Sequence, residues 1–125
     1  MANGARTPPA TLIDFSVKSG SRHFAYDGRW EAGPIYVSRC VFKPNRGTRL
    51  GACQFTVTLH NGATQTLEWR SHAGTPYQRR TIHEGDLYIN SANRPLFMRW
   101  NDVLPVTVVA LEESFLVDTL RREFG

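Results

Sequence analysis

An all-β barrel or sandwich carrying a single C-terminal helix is the architecture this sequence predicts, and three observations predict it. Short β-branched, aromatic or alternating stretches recur between Gly, Pro and Asn turns from about residue 35 to residue 111. So many short strands leave edges that only closure or double layering covers. At Glu112-Glu113-Ser114 the apolar spacing then changes to that of a helix, with Phe115, Leu116, Val117, Leu120 and Phe124.

The chain length of 125 residues suits one domain able to bury a core. Hydrophobic residues at 41% and charged residues at 21% exclude a disordered chain. No apolar run approaches the ~20 residues that cross a bilayer, and residues 1–10 hold no signal-peptide core, so the cytoplasm is the expected location. The net charge is +4, but the excess is arginine dispersed along the chain, with only Arg79-Arg80 and Arg121-Arg122 adjacent. That is a weak nucleic-acid footprint. Cys40 and Cys53 belong to no CxxC or Cys/His spacing and read as buried free thiols ahead of a disulfide.

Residues 1–21 read as a flexible tail in which Leu12-Ile13-Asp14-Phe15 can add an edge strand, 22–111 as the barrel, and 112–125 as the helix. Residues 35–43 are β-branched and aromatic. Residues 53–60 alternate, with Cys53, Phe55, Val57 and Leu59 on one face and Gln54, Thr56, Thr58 and His60 on the other. Asn61-Gly62 predicts a two-residue hairpin turn from which 64–70 returns antiparallel. That pairing sets Glu68, with Thr66 and Arg70, against the Gln54/Thr56/Thr58/His60 face. The polar face so formed has two readings: a solvated surface with ion pairs, favoured by the better hydrophobics opposite it, or a polar interior that hydrogen-bonds a ligand.

Residues 77–82, 87–90, 96–100 and 103–111 complete the strands. Pro105 requires the last to lie at an edge at that point or to begin after it. Arg99 and Trp100 point to opposite faces, leaving Arg99 either a lone interior cation seeking a carboxylate or a surface charge. Trp30, Trp69 and Trp100 read as core or interface residues, and His60 and His72 as solvated loop histidines. The helix begins near a capping Ser114, with acids in its first turn and Arg121-Arg122 in its last.

The run Gly85-Asp86-Leu87-Tyr88-Ile89-Asn90-Ser91-Ala92-Asn93-Arg94-Pro95 resembles the second cupin motif. Phe97-Met98-Arg99-Trp100, then Val106 to Leu111, then Glu112 to Leu120 follow in the order seen in the N-terminal cupin half of AraC-type transcription regulators. Upstream, Gly33-Pro34-Ile35-Tyr36-Val37 and Leu59-His60-Asn61-Gly62 resemble the opening strand and first-motif hairpin of the same family. The resemblance covers roughly residues 30–120 and implies a cupin-like jelly-roll barrel that senses a small-molecule effector and dimerises. In that family two helix-turn-helix units read DNA; they are absent from this chain, so DNA contact is expected only through that absent half, and none with a membrane.

Metal-binding cupins present His-x-His and a glutamate in the first motif and a histidine in the second. Here Gln54 and Thr56 stand where the pair belongs, and Leu96 follows Pro95 where the last histidine belongs. No metal and no cofactor are therefore expected. The absence of a phosphate loop, a G-x-S-x-G elbow or a useful Cys/His spacing predicts a protein that binds rather than catalyses. The expected ligand-binding residues are Gln54, Thr56, His60, Glu68 and Arg99, and the expected homodimer surface is Phe115, Leu116, Leu120 and Phe124. The alternatives are a free-standing scaffold barrel and, behind it, a metal-dependent cupin enzyme.

Overall fold

The computed structural model describes residues 10–125. Ten strands and one helix follow in order: β1 Thr11–Ile13, β2 Phe24–Ala32, β3 Ile35–Phe42, β4 Asn45–Ala52, β5 Phe55–His60, β6 Gln65–Arg70, β7 Gln78–Ile82, β8 Leu87–Asn90, β9 Leu96–Trp100, β10 Leu104–Leu111 and α1 Glu113–Phe124. They form two five-stranded sheets, β1-β4-β9-β6-β7 and β2-β3-β10-β5-β8. All pairings are antiparallel except β1 with β4.

β10 decides which way the second sheet faces. Its Leu104, Val106, Val108 and Ala110 are buried and alternate with half-buried neighbours. Its register with β5 sets Val106 beside His60, Val108 beside Thr58 and Ala110 beside Thr56. Paired residues share a face, so the polar residues of β5 turn inward and Phe55, Val57 and Leu59 turn outward, half-buried. The solvated reading of the polar face is thus corrected, because eight paired positions of β3 and β10 outweigh the local hydrophobicity of β5. Sheet one contributes Leu50, Ala52, Leu67 and Trp100 to the same core, with Phe24, Cys40 and Ile82.

The Asn61-Gly62 hairpin is also corrected. β5 and β6 lie in different sheets, and the segment between them crosses over. Asn61 cannot close a hairpin because its N–H donates to Pro105 O at 2.9 Å and its side-chain amide to Thr107 Oγ1 at 2.7 Å. Glycine is required at 62 by crowding, since a Cβ there would stand 2.7 Å from Pro105 Cδ. β10 is central, but its β5 partner register begins at Val106, so Pro105 lies at an edge at that point.

Residues 11–13 form an edge strand and Phe15 is buried, so the ordered barrel begins well before residue 22; residues 1–9 of the expected tail lie outside the described residues. The helix caps on Glu112, not Ser114, and makes no side-chain cap bond. Tyr36 Oη donates to the Glu112 carboxylate at 2.8 Å, which anchors the helix start to β3. Both cysteines are free, Cys40 buried and Cys53 half-buried. No helix among the described residues is long and apolar enough to cross a membrane.

Candidate functional site

Between the sheets lies a cavity of about 90 Å³. Its apolar wall includes Ile13, Leu50, Leu96, Met98, Trp100, Val106 and Val108; its polar wall is the β5–β8 pair. There Thr56 sits opposite Asn90 and Thr58 opposite Tyr88, so two adjacent cross-strand pairs turn four hydrogen-bonding side chains inward. Burial pushes the Tyr88 phenol up to about 12, so it remains a neutral donor and acceptor at any physiological pH. Among the described residues the one charged lining residue is Arg94, exposed in the turn after Asn93, whose positive φ of 57° aims that turn. A second cavity, of about 170 Å³, adjoins the first and shares Tyr88, Asn90, Leu96 and Met98 with it.

The five expected ligand residues do not converge. Thr56 lines the cavity. Gln54, 2% exposed, is a clamp: its Oε1 accepts from Phe15 N at 3.0 Å and its Nε2 donates to Asp14 Oδ1 at 2.7 Å. The Gln54 amide, helped by Ser16, holds the Asp14 carboxyl below the usual carboxylate value. His60 is fully buried, with Nε2 2.8 Å from Ala63 O, rather than a solvated loop histidine. Glu68 and Arg99 lie on the other sheet, in register with each other and joined Nε to Oε1 at 2.9 Å. Arg99 thus found its carboxylate outside the barrel interior. Tyr88, Asn90 and Arg94 were missed; alternation puts Tyr88 and Asn90 on one face of 87–90, but only the pairing of β8 with β5 turns that face inward, and no local pattern marks Arg94.

On the helix, Phe115 and Leu116 are half-buried, while Leu120 is 48% and Phe124 85% exposed. Trp30 lies 56% exposed on the outer face of sheet two, Trp69 lines the second cavity, and Trp100 is buried with its indole N–H on Lys43 O.

No family model matches the chain, and no curated protein sequence matches it. Solved structures do. A cupin 2 conserved barrel domain protein of Salinispora arenicola CNS-205 superposes with a TM-score of 0.55 at 13% identity, over 94% of this chain and 99% of that one. This chain has the cupin fold. A Ralstonia eutropha JMP134 protein provisionally assigned as a mannose-6-phosphate isomerase gives 0.55 at 14% identity over 77% and 91% of the two chains. HppE, solved with cobalt(II) and its substrate, gives 0.54 at 9% identity over 83% and 64%.

These neighbours correct the expectation that the cupin chain binds rather than catalyses. The fold is shared with that provisionally assigned isomerase and with a substrate-bound HppE. Compact sequence motifs do not report the chemistry of such a barrel. Its inward groups come from different strands, as Thr58 of β5 and Tyr88 of β8 do, and no local spacing records them.

Proposed function

We propose that this cupin barrel is a small-molecule-binding and dimerising domain of the AraC-regulator type, and that its ligand is a short apolar carboxylate. The cavity carries the proposal: one apolar wall, one neutral polar wall and a single cation, Arg94, in its lining. A volume of about 90 Å³ falls short of the ~150 Å³ cavity that admits benzene, which limits the buried body to a few carbons. A branched acid such as isovalerate meets these terms, its methyls against Val106 and Val108 and its carboxylate toward the Arg94 guanidinium.

Isovalerate at ~100 times its dissociation constant should stabilise the protein by about 2.7 kcal/mol, read as a raised melting temperature. The corresponding neutral alcohol should bind about fivefold more weakly, and R94Q should remove that difference, since one partly solvated charge-assisted hydrogen bond is at stake. Equal binding of acid and alcohol to the unaltered protein would refute the assignment of the head group.

Dimerisation is supported by the apolar residues the monomer leaves outside. On sheet two, Trp30, Val37, Val109, Val57 and Ile89 are directly paired in one row across all five strands. The helix adds Leu120 and Phe124, which are exposed. Light scattering should give a dimer that L120K/F124K converts to a folded monomer, because both side chains are exposed and neither belongs to the buried core. A monomer at micromolar concentration from the outset would remove the dimerising role.

A further inference from the structure

The outer face of the β4-β9-β6-β7 sheet gathers arginines that are scattered in sequence. One row runs Arg46, Arg99, Glu68, Arg79 across the four strands, and the next runs Arg49, Phe97, Arg70. Glu68 is the only carboxylate in either row. The face is also held in place. Tyr77 lies over it with Arg99 Cζ at 3.7 Å and Arg70 Cζ at 4.4 Å from its ring centre, and Arg49 and Arg70 stand 5.4 Å from the Phe97 ring centre. Such stacking orders the guanidiniums before any ligand arrives.

Two features point outward from the fold rather than to its stability. Arg46 and Arg99 are direct cross-strand partners, a like-charge pairing that destabilises a sheet. Glu68 is already engaged by Arg99, with both guanidinium contacts at 2.9 and 3.3 Å, so the exposed Arg46 and Arg79 at the ends of the row make no ion pair among the described residues.

We infer that this face binds the phosphate backbone of a DNA duplex. Arg46 and Arg79 are separated by three inter-strand gaps, about 14 Å, close to the ~12 Å width of a major groove, so the two ends reach the phosphates on either side of it. Tyr77 and Phe97 are covered by guanidiniums and offer no platform for unpaired bases. Recognition is therefore electrostatic and independent of sequence. It stands apart from the cavity reading and departs from the expectation that DNA is met only through a helix-turn-helix half.

The test is fluorescence anisotropy of the full chain with a labelled 20-base-pair DNA duplex across a salt series. R46Q/R79Q should weaken binding and lower the slope of log affinity against log salt by about 2. K18Q/R22Q, which removes the same charge from the segment before β2, should leave the slope unchanged. Equal losses in the two double variants would reduce the effect to net charge and overturn the inference. So would tighter binding to a single strand of the same length, or to vesicles rich in anionic lipid, than to the duplex. Both pairs of residues are exposed, and melting temperatures confirm that each variant is folded.

Discussion

Replacing Gln54 by leucine should lower the unfolding free energy by about 2–3 kcal/mol, since it strands the buried Phe15 N–H and takes from the Asp14 carboxylate the donor it shares with Ser16. The amide joins Phe15 N and Asp14 to the start of β5, 39 and 40 residues away in sequence. Leucine fills the volume but supplies neither bond. Urea unfolding followed by tryptophan fluorescence measures the loss; a change below about 0.5 kcal/mol, the scatter of surface substitutions, would show that the clamp is dispensable. The same clamp has a pH signature. Asp14 is held below its unfolded value of 3.8, so its contribution is complete above that pH and is lost as the pH falls through the lower, folded value. Q54L should flatten that acid limb.

Filling the cavity should abolish ligand binding while the barrel survives. Val108 is 2% exposed, lies on the central strand and lines the cavity. V108F directs a ring into the space that isovalerate would occupy. Overpacking a core costs about 1–3 kcal/mol, and the existing void places this substitution at the low end of that range. Thermal-shift titration of V108F should show no response to isovalerate, with a cooperative transition only a few degrees below that of the parent. Undiminished binding would move the ligand to the second cavity, beyond Tyr88 and Met98.

The sequence made β3 and the strands from β5 onward legible because turns, alternation and β-branched runs are local. Residues 87–90 and 96–100 were delimited as they are found. β2 and β4 went unrecognised: Phe24–Ala32 carries a bulge between Tyr26 and Gly28, and Asn45–Ala52 carries two glycines and two arginines with a register shift between Arg46 and Arg49. Irregular pairing breaks the period of two that identifies a strand. The inward face of β5 was misjudged for a different reason. Its own hydrophobic side points outward, and only the pairing of Thr56 and Thr58 with Ala110 and Val108 reveals it.

Sites suffered most, since they depend on which strands become neighbours. Asn61-Gly62 looked like a hairpin, and that one assumption placed Glu68 against Gln54 rather than against Arg99 and Arg79. Arginines spread from Arg46 to Arg99 gave no cluster in the sequence, yet two rows of one sheet collect them. Helix α1 was legible in its span and its terminal charges, but its cap was not, because Tyr36 holds Glu112 from 76 residues away.

The most direct test of the cavity reading is a methyl-resolved NMR titration with isovalerate. Saturable shifts confined to Ile13, Leu50, Val106 and Val108, with Val37, Val57, Val109 and Ile89 on the outer face unmoved, are the predicted result. Shifts confined to the outer face, or none inside at millimolar ligand, would contradict it.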